Sequence, residues 1–83
     1  MTDLVFFGAD WCGDCRRSKA QLNELGINYE LKDVEAQPEA AAEAEQISGR
    51  KNIPVILFKD GKVLVEPSNQ LLESELRQRG LIA

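Results

Sequence analysis

Two cysteines stand at positions 12 and 15 of an 83-residue chain, in the stretch Ala-Asp-Trp-Cys-Gly-Asp-Cys (9–15), and the chain has no other thiol. A pair at this spacing can staple the fold, hold a metal or exchange disulfides. A bridge over a two-residue gap closes a very short loop and constrains the unfolded chain little. A reducing cytoplasm would also tend to break a purely structural bond. With two Cys and no His, the chain alone cannot complete a four-ligand zinc site, and it has no Cys–His nucleophile pair. Thiol–disulfide exchange therefore ranks first, metal binding second and an inert pair of thiols last.

Exchange needs one sulfur as a thiolate, because only the thiolate attacks a disulfide, so the elements that place the pair matter. Leu4–Gly8 (Leu-Val-Phe-Phe-Gly) is a continuous apolar run ended by Gly, the pattern of a strand buried on both faces. From about Cys12 to Leu25, Cys15, Ser18, Leu22 and Leu25 recur at helical spacing, and Gly26 supplies a stop. The cysteines thus fall between a strand end and a helix start, where unpaired amides and the positive end of the helix dipole gather. A thiolate there is stabilised and its pKa falls below about 8.5. Cys12, at the exposed start, is the expected nucleophile, and Cys15, one turn further in, the resolving thiol. Gly13 lets a substrate approach, and Trp11 shields one side. Arg16 and Arg17 add positive potential, which Asp14 opposes.

The remaining elements follow from similar signals. Ile27–Val34 alternates, with Ile27, Tyr29 and Leu31 on one face of a strand. Pro38 and Glu39 open an alanine-rich helix whose narrow stripe is Ala40, Ala44 and Ile47, closed by Gly49. Val55–Phe58, the turn Asp60-Gly61 and Val63–Val65 form a hairpin. Pro67 and Ser68 start a last helix with Leu72 and Leu76 on its inner face, ended near Gly80. The order β-α-β-α-β-β-α requires a parallel, right-handed first crossover and an antiparallel final pair. A mixed four-stranded sheet with three helices packed on it follows: an α/β fold in a single domain over residues 1–83.

Two more stretches bear on a site. Pro54 precedes a strand, where a trans proline is tolerated. A cis Ile53-Pro54 bond would instead expose the Ile53 backbone beside the cysteines, for strand-like pairing with a substrate. Ser68 and Asn69 open the last helix, either as an ordinary N-cap or as an anion site. Arg50 and Lys51 read as solvated loop charges.

Composition narrows the partners. The formal net charge is −4 with basic residues dispersed, which disfavours nucleic acid. No apolar run reaches the length of about 18 residues that spanning a membrane requires. The first ten residues carry Asp3 and lack the pattern of an export signal. The expectation is a cytoplasmic monomer without a bound metal or cofactor.

Together these pieces resemble a glutaredoxin of the thioredoxin-like fold, over nearly the whole chain. Trp-Cys-Gly-Asp-Cys (11–15) stands at the family's Cys-x-x-Cys, Asn52–Gly61 resembles its cis-proline strand and hairpin, and Glu66–Leu76 resembles the opening of its last helix. Within the family the chain is most similar to the mycoredoxins, which share the Trp before the motif and a Pro-Ser pair after the hairpin. The resemblance implies that Pro54 is cis, that Ile53 hydrogen-bonds a substrate thiol through its backbone, and that Ser68 and Asn69 hold the polar end of that thiol. It implies mycothiol or glutathione as co-substrate. Asp10 stands where many glutaredoxins have Lys and would clamp a glutathione carboxylate poorly, which fits mycothiol at least as well.

The expected reaction is reduction of mixed disulfides between a low-molecular-weight thiol and client proteins, by one or both cysteines. One rival is a redoxin that reduces protein disulfides, such as those of ribonucleotide reductase, recharged by a flavoprotein disulfide reductase. A second is a dimer holding a [2Fe–2S] cluster on Cys12 of each chain with small thiols; a colourless monomer after anaerobic purification would count against it.

Overall fold

In the computed structural model, which describes residues 2–83, the apolar runs and helix-boundary residues fold as seven elements. They are β1 Leu4–Gly8, α1 Gly13–Glu24, β2 Tyr29–Asp33, α2 Pro38–Ser48, β3 Val55–Phe58, β4 Val63–Val65 and α3 Asn69–Gln78. The four strands form one mixed sheet in the order β2-β1-β3-β4. β1 runs parallel to β2 (Leu4 opposite Tyr29, Gly8 opposite Asp33) and antiparallel to β3 (Leu4 opposite Phe58, Phe7 opposite Val55). β3 and β4 are the antiparallel arms of the hairpin, with Val55 opposite Val65. This is the expected α/β architecture.

β1 is central, and its pleat divides the core. Leu4 and Phe6 join Leu22, Ile27, Ile56, Phe58, Leu64, Leu72 and Leu76, a cluster in which α1 and α3 cover one face of the sheet. Phe7 and Val55 meet Ala40 and Ala44 of α2 on the other face. Both cysteines belong to the first cluster. The helix boundaries are chemical. Ser68 Oγ accepts the Leu71 amide at 3.0 Å, which caps α3. Pro38 sits in the first turn of α2, and Gly49 ends that helix at φ +80°, a conformation that favours glycine. Among the described residues, no helix is long and apolar enough to cross a membrane.

The face that β2 shares is covered unevenly. The alternation put Leu31 with Ile27 and Tyr29 on one face, and Leu31 on that face is 49% exposed. β2 is an edge strand. Tyr29 still meets Phe6, ring centroids 6.0 Å apart, whereas Leu31 lies further along, beside Phe6, Gly8 and Lys19 at the rim of the covered face.

Candidate active site

Cys12 is the N-cap of α1, with extended backbone at φ −82° and ψ 118°. Its main chain is fixed on both sides: its amide donates to Ala9 O at 3.2 Å, and its carbonyl accepts from the Arg16 amide at 3.0 Å. Its side chain takes the place that Ser, Thr or Asp usually fills at a cap. Cys12 Sγ accepts the Cys15 amide at 3.2 Å, and its thiol donates to the Ile53 carbonyl at 3.8 Å. A sulfur anion at this point faces a helix-start amide and the positive end of the dipole.

The two thiols differ in setting. Cys12 is 9% exposed and Cys15 only 2%. Burial, then the hydrogen bond and charge of the Cys12 sulfur, push the Cys15 thiol from an ordinary 9.0 up to about 12. Cys15 thus keeps its proton near neutral pH, the state a resolving thiol would need until its turn.

The seat of Cys15 depends on a residue whose role the sequence reading did not single out. A Cβ on Gly8, the last residue of β1, would come 2.7 Å from Phe6 Cε1 and 3.1 Å from Cys15 Sγ. Gly8 is therefore the space into which the Cys15 sulfur fits. A strand-ending glycine carries no sequence mark that distinguishes this duty from a simple stop.

The site opens as a cavity of about 490 Å³ lined by Trp11, Cys12, Gly13, Asp14, Lys51, Asn52, Ile53 and Glu66. It continues into a groove of about 460 Å³ that shares Trp11, Lys51, Asn52 and Ile53 and runs along Ala41, Ala44 and Arg50 of the other face. Trp11, 67% exposed, forms part of the wall of both. Beside Gly13 the space is open: an added Cβ would meet only Arg16 Nη2, at 4.0 Å. The Ile53-Pro54 bond is cis, which decides between the two readings of that proline. Pro54 is buried, and the Ile53 carbonyl faces Cys12. Lys51, read as a solvated loop charge, lines the cavity; its position three residues before Pro54 was the available signal.

Ser68 and Asn69 do not line this cavity. The Ser68 hydroxyl is spent on the α3 cap. Asn69 accepts from the Arg17 guanidinium through its side chain and from Gln21 Nε2, at 2.8 Å, through its carbonyl. Arg17 also reaches Pro67 O at 3.3 Å and Asp14 at 3.5 Å, and Arg16 donates to Asp10 O at 2.8 Å. The two arginines therefore tie segments together near the site, and neither lines the cavity. Glu66, whose importance no sequence pattern marks, lines it instead. Among the described residues, no group of three or more His, Cys, Asp or Glu is placed to hold a metal.

Comparison with known proteins is decisive at the level of family. The sequence model of the Glutaredoxin family matches residues 4–64, from the start of β1 into β4. This chain belongs to the glutaredoxin family. A Mycobacterium tuberculosis protein assigned to the glutaredoxins is 31% identical over 88% of this chain and 88% of its own. Staphylococcus aureus thioredoxin is 42% identical over 66 residues, covering 71% of this chain and 60% of the thioredoxin. The crystal structure of an Archaeoglobus fulgidus glutaredoxin superposes with a TM-score of 0.82 at 21% identity, over 93% of this chain and 88% of that one, and it supports the thioredoxin-like fold. As a glutaredoxin, the protein carries thiol–disulfide oxidoreductase chemistry in its lineage, and the cysteine pair for that chemistry is present.

Proposed function

We propose that this glutaredoxin reduces mixed disulfides between a low-molecular-weight thiol and client proteins, with Cys12 as nucleophile. The observation that carries the reading is the position of Cys12 Sγ, which caps α1 on the Cys15 amide and lines the open cavity. The Cys12 thiolate attacks the small thiol's sulfur in the mixed disulfide. A Cys12–small-thiol bond forms, the old S–S bond breaks, and the client thiolate leaves with the electron pair and takes a proton from water. A second small thiol, as thiolate, attacks the adduct; the small-molecule disulfide departs and Cys12 is regenerated. In the two-thiol route Cys15 gives up its proton and displaces the small thiol, closing a Cys12–Cys15 disulfide.

Ile53 serves as the backbone partner of the bound thiol, next to Pro54, while Trp11 and Gly13 border its path. Ser68 and Asn69 act on the substrate through the α3 start they hold in place. The thiol is mycothiol or glutathione. Asp10 favours mycothiol by lacking the cation that many glutaredoxins carry there, whereas Lys51 would accommodate a carboxylate. The reading places the protein in the cytoplasm as a monomer, without nucleic acid or membrane as a partner.

The test replaces each cysteine by serine and follows reduction of one mixed disulfide supplied with either thiol. Cys12→Ser is expected to abolish turnover; persistence of activity would overturn the assignment. Activity retained in Cys15→Ser would identify the one-thiol route. The likeness to the staphylococcal thioredoxin favours a second reading, reduction of protein disulfides with recharge by a flavoprotein disulfide reductase. Faster recycling by such a reductase than by either small thiol would select it.

A further inference from the structure

Glu66, between β4 and α3, has φ +48°, the only positive φ at a non-glycine among the described residues. A side chain in this region is strained and persists only where the surroundings impose it. Here the Glu66 amide donates to the Pro54 carbonyl at 2.9 Å, holding the turn against the loop that faces Cys12. Glycine would meet the backbone demand without strain, so the conformation gives no reason for a carboxylate at this position. The side chain lines the Cys12 cavity. Lys51, from the segment between α2 and β3, lines the same cavity with the opposite charge. Among the described residues neither has an ion-pair partner, and they do not pair with each other. The third charge on the cavity wall, Asp14, is already engaged by Arg17 at 3.5 Å.

We infer that Glu66 and Lys51 read the order of charges along a client segment whose own disulfide sulfur Cys12 attacks. The inference rests on the second reading above, reduction of protein disulfides with Cys12 as nucleophile, and adds a specificity rule to it. An extended segment pairing with the Ile53 backbone crosses a cavity with a free anion on one element and a free cation on another. A client with a basic residue on the Glu66 side of its cysteine and an acidic one on the Lys51 side satisfies both. The reverse order sets like charges together at both ends. Net charge does not enter, so the general field of a −4 chain cannot imitate the effect.

The experiment uses two peptides of identical composition and zero net charge. Each has one cysteine activated as a disulfide with thionitrobenzoate: one places two lysines before the cysteine and two aspartates after it, the other the reverse. Cys15→Ser protein is mixed with each, and thionitrobenzoate release is followed by stopped-flow absorbance. In this step the Cys12 sulfur bonds to the peptide sulfur, the peptide–thionitrobenzoate bond breaks, and thionitrobenzoate leaves with the electron pair. One isomer is expected to react about fivefold faster at low salt, approaching parity as screening increases. E66Q and K51M should each shrink the ratio, and the exchange E66K/K51E should invert it. Equal rates for the isomers, or an unaltered preference in the exchanged variant, would overturn the inference. E66G supplies an independent reading: it should lose the preference as E66Q does while raising Tm by about 4 °C through release of the left-handed side chain. A preference that survives in E66G overturns the inference as well. Release that continues unchanged in Cys12→Ser would instead count against the proposed nucleophile, so the two failures are distinguishable.

Discussion

The two faces of the sheet are built by different means. Under α1 and α3, Phe6, Phe58, Leu22, Leu72 and Leu76 make a thick core of large side chains, all essentially without solvent contact. Under α2 the buried helix contacts are Ala40 and Ala44 against Phe7 and Val55. Alanines let α2 lie close to the sheet but bury little apolar area, and its edge is closed by Lys32, which pairs with Glu43 at 2.9 Å and stands 5.6 Å from the Phe7 ring centroid. Rigidity and access are thus separated: the cysteines are anchored in the thick core, and the groove that extends their cavity runs along the thin face.

The largest expected effect tests that division directly. Leu72→Ala should cost about 3 kcal/mol, since a cavity opens in the thick core, whereas Ala44→Gly should cost about 1 kcal/mol, mostly through helix propensity. Urea unfolding of both variants measures the difference, and comparable losses would end the contrast. Gly8→Ala sharpens it at the site. Its new Cβ meets a buried phenyl ring and the Cys15 sulfur, so overpacking should cost about 2 kcal/mol. The displaced Cys15 should also slow closure of the Cys12–Cys15 disulfide; an unchanged closure rate would remove Gly8 from the site.

The face of each element was legible where its signal is local. The apolar run of β1, the stops at Gly26 and Gly49, the Ser68 cap and the Asp60-Gly61 turn all act within a few residues of themselves. Antiparallel pairing of β1 with β3 joins Leu4 to Phe58 across most of the chain, and no local pattern encodes it. The exposure of Leu31 was not legible, because alternation reports which way a side chain points, whereas burial depends on whether a helix covers that point. Of the site, the cysteine pair was legible from residue type and spacing, whereas the cis Ile53-Pro54 bond followed only from the family resemblance, since a proline before a strand is ordinarily trans. Gly8 and Glu66 were not legible: the duty of one is an emptiness filled by a distant sulfur, and the other departs from what its residue type prefers.

Two smaller effects refine the comparison. In the thick core, the folded Cys15 thiol titrates at about 12 against 9.0 ordinarily. A raised value means the folded state keeps a proton that the unfolded state releases. Stability from this group is therefore complete below pH 9 and declines as pH rises from 9 toward 12. Unfolding free energy should fall by about 1 kcal/mol between pH 8 and 10, and the fall should flatten in Cys15→Ala; a parallel slope in that variant would contradict the burial argument. On the thin face, Lys32→Met should cost about 0.5 kcal/mol, the usual worth of a partly exposed pair, and a much larger loss in thermal unfolding would mean that the ion pair, rather than the alanines, holds α2.

Arg17 fastens the helix that carries both thiols to the chain just beyond Glu66, through the Pro67 carbonyl and the Asn69 side chain, while its contact with Asp14 stays within α1. Both anchors are uncharged, so added electrolyte screens chiefly the Asp14 contact inside the helix. The nucleophile and the acidic turn should accordingly keep their spacing in brine, and a salt titration of client choice will report the reach of a charge and not a hinge coming undone.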